Sequence, residues 1–205
     1  MRTIGLVLYG VFASGSALAL PLLLTAALLP DGTWYWAQAL VAIGVFAVMQ
    51  AVGIVVLMAV NPQSIEVRNQ SILSGEDKKQ PLADRIVSTF LVLTMFGLLV
   101  FTPIDVFELR LMEPVCATVA LFGGGLAIAG LVCTYVAVGQ NEFAAPNVQD
   151  QSDQGQHVID TGIYGIVRHP FYTGLLAFFV GLVLWLGSYP AVIACGSLAF
   201  FLVVR

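Results

Sequence analysis

Charged residues are scarce in this sequence. Its 205 residues include only 8 Lys and Arg and 12 Asp and Glu, whereas 59% are hydrophobic and the mean hydropathy is +0.94. Soluble domains carry about a quarter charged residues, so this composition excludes a soluble globular domain. Disordered and nucleic-acid-binding proteins also need far more charge. The composition therefore predicts an integral membrane protein with the lipid bilayer as a partner and no nucleic acid.

Cysteine is scarce too. Cys116, Cys133 and Cys195 all fall within apolar runs, and none has a C-x-x-C or Cys/His spacing. Disulfide frameworks and metal sites need such groupings, so the sequence predicts neither a disulfide nor a metal site. The three cysteines are interpreted as small packing residues.

Long apolar runs make up most of the sequence. A helix needs about 20 apolar residues to cross the bilayer, and four runs are long enough, while the last two predict a short helix hairpin. The N-terminal run exceeds the roughly 7–15 apolar residues of a signal peptide, which favours a retained span. The sequence thus predicts an all-α membrane protein with about six transmembrane helices. The runs are Thr3–Leu29, Trp34–Val60, Ile86–Ile104, Val115–Gly139, Phe171–Gly187 and Ala191–Val204.

The distribution of basic residues predicts the orientation. With a cytoplasmic N-terminus, the far side holds only Arg110. The cytoplasmic side holds Arg2, Arg68, Lys78, Lys79, Arg85, Arg168 and Arg205. Basic residues favour the cytoplasmic side, so we expect the N-terminus and both polar loops on the cytoplasmic side of the membrane. We expect one membrane domain, 1–205, divided into a hairpin (3–60), a cytoplasmic loop (61–85), a second hairpin (86–139), a cytoplasmic polar loop (140–170) and a C-terminal hairpin (171–204).

The polar loop 140–170 concentrates the chemistry of the chain. Connections of this length are usually functional. Pro170 should occupy the first turn of the following helix, where backbone donors and the helix dipole could hold a carboxylate. The loop and the start of that helix contain both histidines with several other polar residues: Gln149, Gln156, His157, Asp160, Thr161, Tyr164, Arg168, His169 and Tyr172.

Each of these residues also has an ordinary structural interpretation. Taken singly, Arg168 would be an interfacial arginine, His169 a capping or packing residue and Gly162 a loop glycine. Their clustering with Tyr164 and Tyr172 favours a site. Small residues within the spans predict close helix packing instead; these are Gly10, Ser14, Gly123, Gly124, Gly125, Ala127, Gly174 and Gly181.

The stretch GQHVIDTGIYGIVRHPFYTG, Gly155 to Gly174, resembles the signature of a membrane methyltransferase family. The family includes isoprenylcysteine carboxyl methyltransferase and the phospholipid N-methyltransferases, and the shared core is G-x-Y-x-x-x-R-H-P-x-Y-x-G. Several other positions resemble bacterial members of the isoprenylcysteine branch, which extends the resemblance over about residues 61–205. They are Asn61-Pro62, Arg68, Asp84-Arg85, Asn141, Phe143, Val148-Gln149 and Leu186 to Ala191.

The resemblance implies a site for S-adenosylmethionine, with S-adenosylhomocysteine as product, in the polar loop. Gly162, Arg168 and Gly174 would support the site, and Arg205 would hold the substrate carboxylate. The family continues beyond this arginine with two glutamates, so the resemblance predicts that the chain is truncated at its C-terminus. The implied cofactor contacts are Gln149, Gln156, His157, Val158, Ile159, Tyr164, His169, Pro170, Phe171 and Tyr172.

The implied reaction is carboxyl O-methylation of a prenyl-cysteine-like or other lipophilic carboxylate. A carboxylate needs no general base, whereas an amine would need a proton acceptor such as His157 or His169. Phospholipid N-methylation and small-thiol methylation remain alternatives. A small transporter subunit is the non-enzyme alternative. Such a protein would be expected to have ionisable residues inside its spans, yet the six runs contain no Asp, Glu, Lys, Arg or His. A purely structural protein is the last alternative, and the oligomeric state is left open.

Overall fold

The computed structural model describes residues 2–62, 82–141 and 160–204. The described residues form an all-helical bundle without strands, which confirms the predicted fold class. The first four helices are long and apolar enough to cross a membrane. The helices are α1 (Arg2–Leu28), α2 (Ala37–Val60), α3 (Leu82–Ile104), α4 (Ala117–Gln140), α5 (Pro170–Trp185) and α6 (Tyr189–Val204), with a π-helix at Asp105–Leu109 and a 3-10 turn at Gly162–Gly165.

The predicted apolar runs agree with these helices to within four residues at each end. The largest difference is in α3, which begins at Leu82 rather than Ile86. Asp84 lies in its first turn, where a carboxylate is favoured by the helix dipole. The same helix continues beyond Ile104 as the π-helix, which buries Asp105 to 4% exposure. The third span, Leu82–Leu109, therefore includes ionisable residues that its apolar run excluded: Asp84 and Arg85 at its start, and Asp105 and Glu108 at its end.

Small residues allow α4 and α5 to pack closely side by side. A Cβ atom on Gly130 would lie 2.6 Å from the Gly174 carbonyl oxygen, and one on Gly123 would lie 2.8 Å from the Gly181 carbonyl oxygen. Because Gly130 is near Gly174 and Gly123 is near Gly181, the two helices run antiparallel. The close packing predicted at Gly123, Gly174 and Gly181 agrees with these distances, Gly130 was not predicted, and Gly125 has open space around its Cβ position.

The bundle has two distinct ends. We call the end at which α2 and α4 finish and α3 and α5 begin the loop end. There, the Asn61 side-chain amide donates to the carbonyl oxygens of Val138 and Gly139 at 3.4 Å. At the opposite end, the rings of Trp36 and Phe107 meet edge to face at 5.1 Å. Between the two ends, Leu22, Leu182 and Leu198 are fully buried and form part of the apolar core.

Candidate functional site

A short 3-10 turn at the loop end is anchored to the last residues of α4. The Ile163 N–H donates a 2.9 Å hydrogen bond to the Gln140 side-chain oxygen. Gly162, which precedes it, has φ +59°, and a Cβ there would lie 2.5 Å from the same oxygen. The left-handed backbone conformation therefore favours glycine at position 162.

Tyr164 anchors the same turn with its hydroxyl group. This hydroxyl donates to the Ala137 carbonyl oxygen at 3.2 Å and accepts a bond from the Asn141 side-chain amide at 3.3 Å. Its ring is half-buried. Tyr164 thus joins the turn to the end of α4, and its predicted cofactor contact stays a prediction.

The next helix, α5, begins at Pro170 as predicted. Pro170 is fully buried, and its carbonyl oxygen accepts a 3.3 Å hydrogen bond from the Cys133 thiol. His169 occupies the N-cap position, but its side chain makes no capping hydrogen bond. Its exposed ring instead stacks on Tyr172, with centroids 6.0 Å apart and planes at 20°. The start of α5 therefore presents an aromatic pair beside backbone donors.

Two residues with predicted supporting roles lie on either side of this pair. Arg168 is exposed in the bend before α5. Gly174 is buried one turn into α5, where its Cβ would lie 2.7 Å from the Gly130 carbonyl oxygen and 2.8 Å from the Thr134 nitrogen. Gly174 therefore sets the distance between α5 and α4, and this distance positions the aromatic pair.

An apolar cavity of about 320 Å³ lies within the bundle next to this turn. Phe171, between Pro170 and Tyr172, forms part of its wall. None of the lining residues within the described part of the chain is Asp, Glu, Lys, Arg or His. They are Ser14, Ala17, Leu18, Phe46, Gln50, Leu57, Met95, Phe96, Leu99, Leu131, Thr134, Tyr135, Val138, Phe171, Leu175, Phe178 and Phe179. We call this space the inner cavity.

A second space of about 340 Å³, the outer cavity, lies between α2 and α4. It extends along these helices to Gln140, the residue that holds the 3-10 turn. Leu57 and Tyr135 line both cavities and form part of the partition between them.

The structure brings part of the predicted site together at the loop end. These residues are Gly162, Tyr164, Arg168, His169, Pro170, Phe171, Tyr172 and Gly174. The remaining predicted residues, Gln149, Gln156, His157, Val158, Ile159 and Arg205, lie outside the described residues. Over the described ranges, no group of three His, Cys, Asp or Glu residues is arranged to hold a metal ion.

Two glutamines at this site were not predicted from the sequence. Gln140 supports the 3-10 turn, and its position at the boundary between an apolar run and the polar loop was the available signal. Gln50 lines the inner cavity from the middle of α2. A single amide inside a long apolar run is itself a signal of a polar contact within the bundle.

The family comparison matches the part of the chain that builds most of this site. The model of the phospholipid methyltransferase family matches residues 118–205, which include α4, the 3-10 turn, α5 and α6. The chain matches no curated protein and no solved structure. The resemblance proposed for residues 61–117 lies outside the matched range and stays a prediction. Residues 118–205 are therefore similar to the phospholipid methyltransferase family, a family of membrane methyltransferases related to isoprenylcysteine carboxyl methyltransferase.

Proposed function

We propose that the protein is an S-adenosylmethionine-dependent membrane methyltransferase that esterifies the carboxylate of a lipophilic substrate. One observation carries the proposal: the polar turn and the apolar inner cavity meet at the first turn of α5. Phe171 lines the cavity, whereas its neighbour Tyr172 stacks on the exposed His169. A water-soluble methyl donor and a lipophilic acceptor would therefore approach the same point from different sides.

The residues at the loop end fit S-adenosylmethionine, which supplies a methyl group from a sulfonium when bound. The ring pair His169 and Tyr172 offers an aromatic surface for an adenine ring or for a cation. The N-terminus of α5 offers backbone donors and a positive dipole for the carboxylate of an amino acid. Gln140 and Tyr164 hold the adjoining turn in place.

The composition of the inner cavity favours a carboxylate acceptor. Its described lining residues include no Asp, Glu or His to receive a proton, and an ionised carboxylate has no proton to lose. The chain would then contribute alignment and partial desolvation of the attacking oxygen. We assign the substrate-binding cation to Arg205, which directly follows α6, because an arginine can hold a carboxylate by two charge-assisted hydrogen bonds.

Methylation of a phospholipid amine is the second candidate, and the name of the matching family favours it. An amine must lose a proton before or during attack, so His169 or His157 would have to accept it. The exposed imidazole of His169 at the start of α5 is the described residue able to do so. In either case we place the reaction on the cytoplasmic side of a bacterial inner membrane.

The test is transfer of tritiated methyl from S-adenosylmethionine, using protein expressed from the complete open reading frame and purified in detergent. A prenyl-cysteine analogue and phosphatidylethanolamine are offered as separate acceptors. Alkaline hydrolysis releases tritiated methanol from a methyl ester but leaves an N-methyl group in place. We expect base-labile label on the prenyl-cysteine analogue.

Variants then connect the activity to the site. His169→Ala and Tyr172→Ala should each weaken binding of S-adenosylmethionine by about 1 kcal/mol or more, measured by isothermal titration. Ser197→Ala is the matched control, because Ser197 is exposed on α6 and its hydroxyl donates to the Ala194 carbonyl oxygen of the same helix. Base-stable label on phosphatidylethanolamine alone would favour the second candidate. Label on neither acceptor with unchanged cofactor binding in both variants would contradict the proposal.

A further inference from the structure

The inner cavity contains an amide in a largely apolar wall. Gln50 lies in α2 ten residues before Val60, about 15 Å from the loop end at 1.5 Å per residue. Its side chain is half-buried and makes no hydrogen bond to any residue in the part of the chain that the structure describes. An amide without a partner in apolar surroundings is costly. A ligand in the cavity would provide that partner.

Ser14 and Thr134, which also line the cavity, differ from Gln50 because their hydroxyl protons are already donated. Ser14 donates to the Gly10 carbonyl oxygen at 2.7 Å, and Thr134 donates to the Gly130 carbonyl oxygen at 2.9 Å. Each of these bonds lies within one helix turn. Gln50 can both donate and accept, and neither capacity is used by a neighbouring described residue. It is therefore the side chain best placed to recognise a polar group of a ligand.

We propose that Gln50 determines substrate specificity by hydrogen bonding to a hydroxyl or carbonyl group within the lipophilic chain of the substrate. The inference rests on the proposed function, because it takes the inner cavity as the place of the chain whose end is methylated at the loop end. Phe171, at the loop end, and Gln50, in the middle of α2, line the same cavity. The volume of about 320 Å³ is at the low end of the roughly 300–1,000 Å³ of small-ligand sites. The substrate is accordingly a single-chain lipid with an oxygen function part of the way along the chain.

Such a residue discriminates strongly between related lipids. A site built to hydrogen bond a substrate group rejects the analogue that lacks it, because the buried polar group of the protein is then left unpaired. A purely hydrocarbon chain would fill the same volume but leave the Gln50 amide unpaired. Gln50 thus separates substrates by the position of a polar group and not only by length.

The experiment measures binding of three radiolabelled single-chain carboxylates to the purified full chain by equilibrium dialysis, without any methyl donor. The probes are stearate, 2-hydroxystearate and 12-hydroxystearate. We expect the mid-chain hydroxyl of 12-hydroxystearate to give about tenfold tighter binding than the other two, equivalent to about 1.4 kcal/mol. Gln50→Leu should reduce this ratio to about one, and Gln50→Met provides a second apolar variant with an unbranched side chain.

Met49→Leu is the matched control, since Met49 is adjacent on α2 and lines the outer cavity but not the inner one. It should keep the tenfold ratio. Equal binding of all three lipids by the unaltered protein, no binding of any, or a ratio retained in both Gln50 variants would overturn the inference. Methyl transfer is assayed separately. Selectivity that depends on Gln50 without methyl transfer to any lipid would contradict only the proposed function, and methyl transfer without that selectivity would contradict only the role of Gln50.

Discussion

Ser188 donates a 2.6 Å hydrogen bond to the carboxylate of Asp105, a residue 83 positions earlier in the chain. Both side chains are buried at the end of the bundle opposite the loop end. The second carboxylate oxygen of Asp105 accepts from the Leu111 N–H at 3.2 Å, and the Ser188 oxygen accepts from the Ala191 N–H at 3.0 Å. These bonds join the end of α3 to the turn between α5 and α6.

The first prediction concerns the stability supplied by this network. Asp105→Ala should lower the free energy of unfolding by about 1–3 kcal/mol, because the Ser188 hydroxyl and the Leu111 N–H lose their acceptor. The melting temperature in detergent should fall by about 2–12 °C. Asp31→Ala is the control. Asp31 forms a 3.1 Å ion pair with Arg110, but both side chains are more than 60% exposed, and surface ion pairs contribute about 0–1 kcal/mol. Equal losses in the two variants would contradict the importance of the buried network.

The second prediction concerns the contact that positions the start of α5. Gly174→Ala should force α5 away from α4, because the added Cβ would lie 2.7 Å from the Gly130 carbonyl oxygen. Overpacking of this kind costs about 1–3 kcal/mol. We expect a lower melting temperature together with weaker binding of S-adenosylmethionine. Gly125→Ala is a matched control on α4, where no atom lies within 4 Å of the new Cβ, and it should leave both measurements unchanged or slightly raise the melting temperature.

The positions of the spans could be predicted from sequence, but the contacts between them could not. Long apolar runs separated by polar residues give each helix to within a few residues, because a run has to cover the bilayer. Asp105 shows where this reasoning stops. It lies directly after an apolar run and was therefore excluded from the span, although a hydroxyl 83 residues away allows it to be buried. No local pattern contains that partner.

In the candidate site, too, local features could be predicted from the sequence, but contacts between distant elements could not. Pro170 was correctly placed at the start of α5, because proline favours the first helical turn. Gly162 was predicted to be a loop glycine or to support the site, and its φ of +59° is a conformation that favours glycine. Gln140 and Gln50 were missed because their importance depends on the elements packed against them. Gln140 holds a turn more than 20 residues later, and Gln50 borders a cavity formed by several helices.

The third prediction tests the anchoring of the 3-10 turn. Tyr164→Phe removes the hydroxyl that bonds to Ala137 and Asn141 while keeping the ring. We expect S-adenosylmethionine to bind about three- to tenfold more weakly, corresponding to a lost hydrogen bond of about 1 kcal/mol, as measured by isothermal titration. Tyr35→Phe is the control, because Tyr35 is 85% exposed at the opposite end. Unchanged binding in Tyr164→Phe would show that the hydroxyl is not needed to position the site.

The fourth prediction concerns orientation in the membrane, which rests on the distribution of basic residues. In a background with Cys133 and Cys195 replaced by alanine, the exposed Cys116 near the opposite end should react with a membrane-impermeant maleimide in intact cells. Asp160→Cys, in the exposed segment before the 3-10 turn and with Cys116 also replaced, should react only after permeabilisation. The reverse pattern would invert the predicted topology.

The last prediction separates carboxylate from amine chemistry. Arg205→Ala should leave binding of S-adenosylmethionine nearly intact but reduce turnover of the prenyl-cysteine analogue by about tenfold or more, as expected for the loss of a charge-assisted bond of about 1.5–3 kcal/mol. Arg205→Lys should recover only part of the rate, because an ammonium cannot reproduce the planar two-point contact of a guanidinium. The rate should also be flat above about pH 6, since a carboxylate with an ordinary pKa near 4 has already lost its proton. An amine acceptor would behave in the opposite way, its rate rising with pH as the neutral nitrogen becomes more abundant. Rates that rise steadily from pH 6 to pH 9 and do not respond to Arg205→Ala would favour methylation of a phospholipid amine over that of a carboxylate.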